Sequence, residues 1–163
     1  MNDRNKTLAE LWEKVQDVRV AMLTTRNASG ELQSRPMYTQ ETDFTGGIWF
    51  FTAKDSDKAN NIRHSDQVNL AYAAPDDSLY VSVTGTARLV DDRAKIRDLW
   101  NPVNKAFFPD GVDDPNLVLL EVDPSSAEMW DSPSSKVRQL FSMVRTAVTG
   151  KHEDTGENKT YEL

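Results

Sequence analysis

The sequence predicts a mainly β (α+β) domain: an antiparallel barrel, closed or split, of about six or seven short strands with helices on its periphery. Three observations predict it. The chain has 163 residues, the size of one domain and enough to bury a core without disulfides or metals. Most of it reads as short apolar runs or alternating segments, and only a few stretches carry helical spacing. The connections between the β-rich segments are mostly too short for crossovers, so neighbouring strands run antiparallel. Rolling such a sheet up hides its edges.

Taken in order, Thr7, Leu8, Ala9 and Glu10 read as a capping box, and Leu8, Leu11, Trp12, Val15 and Val18 follow at helical spacing. This gives a first helix over roughly 7–17. "VRVAMLTT" (18–25) and "LQSRPMYTQ" (32–40) flank the turn residues "NASGE" and form a hairpin. "IWFFTA" (48–53) is a third strand, "SDKANNIRHS" (56–65) a short helix, and "QVNLAYAA" (67–74) a fourth strand. "LYVSVTGTARLV" (79–90) is a long fifth strand, where Gly85 marks a bulge or sharp bend. "DDRAKIRDLW" (91–100) is a helix, and "NPVNKAFFPDGVDDPN" is an irregular excursion. "LVLLEVDP" (117–124) and "SAEMWD" (126–131) are two further strands. Ser132 and Pro133 then cap a last helix carrying Val137, Leu140, Phe141, Val144 and Val148. Residues 1–150 are thus the domain, and 151–163 a polar, flexible tail.

Composition narrows the function. The absence of cysteine excludes disulfides, thiolate metal sites and cysteine nucleophiles. A net charge of -7 without a basic stripe argues against nucleic acid or an anionic membrane as partner. The N-terminus lacks a signal-peptide pattern, and no apolar run is long enough for a span, so a soluble cytoplasmic protein is expected. His64 and His152, the only histidines, lack metal-ligand spacing, and no metal is expected. No nucleophile elbow, Walker loop or Rossmann fingerprint occurs. "PDGVDDPN" lacks the alternating ligands of a calcium loop. With so few reactive side chains, any chemistry would be borrowed from a cofactor.

One local pattern suggests where. Thr52, Ser56 and Lys58 cluster where the third strand enters a helix, and Arg35 lies on the preceding strand. Hydroxyls, an ammonium, a guanidinium and a helix N-terminus suit a phosphate. From the residues alone two readings stand. In the second, Ser56 merely caps the helix and Lys58 belongs to a solvated face.

At these residues the chain resembles the pyridoxamine 5′-phosphate oxidase-like FMN-binding split barrels, in particular their general stress protein branch. "SRPM", "FFTAKDSDKA" and "AEMWDS" carry the resemblance in order, supported by the stretch from Asp98 to Pro124. It implies FMN as cofactor, with Arg35 and Lys58 on the phosphate and Ser56 and Thr52 bonding phosphate or ribityl oxygens. Pro36 and Met37 would lie along the ring, and Phe51 would wall it. It also implies a homodimer with the flavin at the subunit interface, Trp130 approaching from the other subunit. The alternatives for these residues are ordinary core or plain dimer contact.

Departures from the family pattern shape the expected activity. Gln40 stands where the vitamin-making oxidases carry a lysine, Asp57 where an arginine is usual, and Tyr80 where glutamine is frequent. The segment after Trp130 lacks their arginine and histidine. The cofactor side is kept and the substrate side is mostly lost, so pyridoxal phosphate synthesis is not expected. The resemblance implies an FMN-binding general stress protein, a flavin-dependent oxidoreductase on an unknown small substrate. The alternatives are a non-catalytic flavin store or sensor, and an interaction module without flavin. A related flavin or deazaflavin would suit the same phosphate cradle, and no catalytic side chain is implied.

Overall fold

A computed structural model describes residues 3–40, 46–131 and 157–162. Seven antiparallel strands and three α-helices make up the described chain. The strands are β1 (Val20–Arg26), β2 (Leu32–Tyr38), β3 (Ile48–Ala53), β4 (Gln67–Ala74), β5 (Leu79–Val90), β6 (Leu117–Asp131) and β7 (Glu157–Glu162). The helices are α1 (Asp3–Val15), α2 (Asp57–His64) and α3 (Arg93–Leu99). The strand order is β2-β1-β4-β5-β6-β3, with β7 added to β6.

That order leaves β2 and β3 as the two ends of the path, so closure of the barrel depends on how they meet. They meet just beyond β2, where Gln40 N donates to Trp49 O at 2.9 Å. Among the described residues no strand ladder joins them, and the barrel is split along this seam. Thr39 holds the chain there: its N–H donates to Arg19 O at 2.7 Å, and its hydroxyl lies 3.0 Å from the Tyr72 hydroxyl. Burial pushes the Tyr72 phenol up to about 12, against the opposing pull of that bond.

The run of apolar residues in β3 follows from its position between two cores. Ile48 and Phe50 face the barrel interior with Leu23, Leu70, Val83 and Leu120. Trp49 and Phe51 face a second cluster with Ile96, Leu117 and Leu119, covered by Leu99, Trp100 and Phe108. The excursion after α3 is therefore not loose. It begins with a 3-10 helix, Pro102–Ala106, capped by the Asn101 side chain. Arg93 fastens its far end by donating to Asp114 O at 3.0 Å and Leu117 O at 2.7 Å.

Several boundaries differ from the sequence reading, each for a local reason. α1 starts at Asp3, not Thr7: the Thr7 hydroxyl donates back to Asp3 O at 3.0 Å instead of capping. Arg4 extends the helix by docking on Asp123 Oδ1 and Pro124 O. Segments 117–124 and 126–131 are one strand, because β6 bulges at Ser125 without ending. Residues 157–162, expected in a flexible tail, pair with β6 as β7. The expected last helix and its Ser132–Pro133 cap lie outside the described residues.

Gly85 sits opposite the bulge, where a Cβ would fall on the Asp123 carbonyl. Gly85→Ala is therefore expected to destabilise the fold by about 2 kcal/mol through overpacking. Chemical denaturation should show a lower midpoint, and an unchanged midpoint would refute the close approach.

Candidate functional site

A cavity of about 350 Å³ lies along the seam. β2 contributes Pro36, Met37 and Tyr38, and β3 contributes Phe51 with Ala53 at its end. Val20, Gln40, Lys58, Asn104, Phe107 and Phe108 complete the lining. Lys58 is the one fully charged side chain among them. The cavity is thus an apolar, aromatic slot with an ammonium in its wall.

α2 supplies that ammonium. Ser56 is the N-cap, and its Oγ accepts from Ala59 N at 3.3 Å while donating to Ala53 O at 2.8 Å. The Thr52 hydroxyl, on a buried residue, lies 3.1 Å from Ser56 Oγ. Together these bonds lock the strand-to-helix junction and set the direction of Lys58. The capping reading of Ser56 therefore holds, and it leaves the cation to act.

Arg35 reaches the same place from β2. Its Nη1 donates to Thr25 Oγ1 at 2.6 Å, to Gln33 O at 3.0 Å and, at 3.4 Å, to Leu23 O. Asn61 of α2 donates to the same Thr25 hydroxyl at 3.0 Å. Through Thr25 the guanidinium is docked against α2. All its bonds start from Nη1, so among the described residues Nη2 and Nε make none.

The electrostatics follow from this packing. Desolvation lowers the Lys58 pKa, the Arg35 charge lowers it further, and Asp57 partly opposes both. Arg35 is likewise lowered by desolvation and supported by Asp57. Neither cation forms an ion pair among the described residues. Two half-buried cations that repel each other are unfavourable alone, and an anion near both would relieve both.

In the same lining, Gln40 and Asn104 form a reciprocal pair of side-chain amides. Gln40 Nε2 donates to Asn104 Oδ1 at 3.1 Å, and Asn104 Nδ2 donates to Gln40 Oε1 at 2.9 Å. Both residues are buried. The pair pins the 3-10 helix, and with it Phe107 and Phe108, over the cavity. Phe51 meets Phe108 edge-on at 6.3 Å and Trp100 at 5.5 Å. Asn104→Leu would leave Gln40 Oε1 without its donor, at a cost of about 1–3 kcal/mol, while Gln40 Nε2 keeps its bond to Tyr38 O. A lower thermal midpoint, partly restored by adding Gln40→Leu, would confirm the pairing; additive losses would refute it.

Of the eight residues singled out in the sequence, Pro36, Met37, Phe51 and Lys58 line the cavity. Arg35, Thr52 and Ser56 do not line it: the Arg35 charge acts on Lys58 from β2, and Thr52 and Ser56 form the junction that precedes Lys58. Trp130 does not line it: it lies on β6, half exposed and paired with Tyr80 of β5. The sequence reading left out Asn104, Phe107 and Phe108, placing them in an irregular excursion. Their signals were Asn101-Pro102, a cap with proline at the first turn, and two adjacent phenylalanines in a polar stretch.

The structure is a split barrel with an aromatic slot at its seam and the Lys58 ammonium in the slot's wall. The chain belongs to the pyridoxamine 5′-phosphate oxidase-like family, whose model matches residues 6–154. It is similar to Protein bli-3 of Neurospora crassa, 30% identical over 142 residues, which are 80% of this chain and 68% of that one. Among solved structures it is similar to one of general stress protein 26 type from Jannaschia sp. CCS1: 29% identity, TM-score 0.77, covering 97% of this chain and 99% of that one. A general stress FMN/FAD binding protein from Xanthomonas citri is 33% identical, with TM-score 0.67, covering 77% of this chain and 89% of that one. Among the described residues no helix is long and apolar enough to cross a membrane, and no group of ligating side chains would hold a metal.

Proposed function

We propose that this chain is a cytoplasmic, flavin-binding stress protein that holds FMN in the seam and serves as a flavin-dependent oxidoreductase on a small substrate. The observation that carries the reading is the Lys58 ammonium in the wall of an aromatic slot, with the Arg35 charge acting on it and neither cation in an ion pair among the described residues. The slot's volume, about 350 Å³, is that of a ligand of FMN's size. The Xanthomonas citri relative, described as FMN/FAD binding, supports the choice of ligand.

In this reading Arg35 Nη2 and Nε and the Lys58 ammonium grip the phosphate. Ser56 keeps its bond to Ala53 O, so it and Thr52 act mainly by fixing the junction. Phe51 and Met37 flank the ring, and the Gln40–Asn104 pair keeps the far wall closed to water. When bound, the flavin supplies hydride or electron transfer at its ring. A second copy of the chain would complete the site, with its Trp130 facing the flavin. Val20, Pro36 and Tyr38 link the cavity to the outer sheet face that carries Tyr80 and Trp130.

The absorption spectrum of the purified protein, before and after adding FMN and desalting, tests the reading. A retained flavin band of one per subunit supports it; no band, with no quenching of flavin fluorescence at high protein concentration, refutes it. A second reading, storage or sensing without turnover, is favoured by a lining in which Lys58 is the sole charged group. Oxidation of a reduced nicotinamide or dye well above the rate with free FMN would exclude that second reading.

A further inference from the structure

From the charge arrangement at the seam we propose that the phosphate site is matched to a singly charged phosphate, such as a phosphodiester, rather than to a doubly charged terminal phosphate. This rests on the flavin-binding reading and names the ionic form that the site takes.

Asp57 carries the argument. It is the first residue of α2, and Lys58 is the second. Asn61, bonded to the Thr25 hydroxyl that also holds Arg35, lies four residues after Asp57 and three after Lys58. Residues three and four apart share a helix face. Arg35, Lys58 and Asp57 therefore gather on one side of α2, and together they present a single net positive charge.

The other charged groups nearby are engaged elsewhere. Lys54 pairs with Asp91 at 2.6 Å, and Asp55 accepts from Asn116 Nδ2 at 2.9 Å. Arg88 of β5 pairs with Glu121, and Arg63 donates to Asn60. Arg63 and Arg88 line a separate cleft together with Lys54 and Asp91. His64 is exposed at the far end of α2, and Arg26 is exposed at the end of β1. Among the described residues, the cradle's charge is thus set by three side chains.

Attraction to the cradle grows in proportion to ligand charge, but the desolvation cost grows with its square. A monoanion leaves the half-buried cradle neutral. A dianion leaves one negative charge uncompensated beside Asp57. The second ionisation of a phosphate monoester falls near pH 6, so FMN changes from one form to the other in an accessible range. The phosphodiester charge of FAD does not change there.

The test measures binding of FMN, FAD and riboflavin by fluorescence quenching from about pH 5.5 to about pH 7.5, spanning that ionisation. FMN affinity should fall roughly fivefold as pH rises, as expected for one uncompensated charge near the surface. FAD affinity should stay level. In Asp57→Asn the fall for FMN should vanish or reverse, whereas in His64→Gln it should persist. FMN affinity that rises or stays level with pH in the unaltered protein overturns the proposal. So does a parallel fall for FAD, which would place the titration on the protein. If none of the three ligands binds at any pH, the flavin reading itself fails, and the proposal with it.

Discussion

Arg35→Ala combined with Lys58→Ala is expected to weaken FMN binding by at least about 100-fold while leaving riboflavin binding nearly unchanged. A charge-assisted hydrogen bond is worth about 1.5–3 kcal/mol, and two such anchors are removed. Every 1.4 kcal/mol is about a factor of ten in affinity. Riboflavin shares the ring but lacks the phosphate, so its retention separates a lost phosphate grip from a damaged slot. The fold should tolerate the change, because both side chains are only partly buried and removing them relieves mutual repulsion. Arg35→Lys should fall between the two: an ammonium can replace the bond to Thr25, but not the bidentate grip that Nη2 and Nε, unbonded among the described residues, would offer a phosphate. FMN affinity unchanged in the double variant, measured by fluorescence titration, would remove the assignment of both residues.

Legibility from sequence varied along the chain for physical reasons. β3, β4 and β5 lie where the alternation and turn residues place them, because their pattern is set by burial on one or two faces. The start of α1 was misplaced because Thr7 and Glu10 fit a capping box, and nothing local reveals that Arg4 will be anchored by Asp123, far along the chain. Gly85 was legible as a bulge or bend, and the register does shift between Thr84 and Gly85, but that the extra residue is Ser125 of β6, and that β7 pairs with β6, depends on distant partners. The clustering of Thr52, Ser56 and Lys58 was legible because they lie at a strand-to-helix junction within one short segment. The amide end was not. Gln40 and Asn104 are 64 residues apart, and each reads as an ordinary surface amide until the fold buries them together. Trp130 stood out by its motif, but its place on an exposed sheet face is a tertiary fact.

That face sets up the second large effect. Val20, Met22, Tyr80 and Trp130 are 49%, 41%, 44% and 38% exposed, respectively. Register places Met22 beside Ala71, and Tyr80 between Ala73 and Trp130, so these side chains share the outer surface of adjoining strands. Isolated exposed apolar residues are ordinary; a contiguous set with two large aromatics is typical of an interface centre. A second copy is the occupant we expect, because Val20 also lines the cavity and cover over the face would close the slot. Tyr80→Glu combined with Trp130→Glu should then convert a dimer into a monomer in light scattering at micromolar concentration. Interface aromatics of this kind are worth about 2 kcal/mol or more each, so the dimer constant should weaken by roughly 1000-fold. The same variant should bind FMN at least about tenfold more weakly, since a tryptophan against the ring and the cover over the slot are both lost. Monomeric mass for the unaltered protein would refute the dimer. A monomeric variant with full FMN affinity would keep the dimer and take Trp130 out of the site, leaving the seam within one subunit as the whole of the flavin pocket.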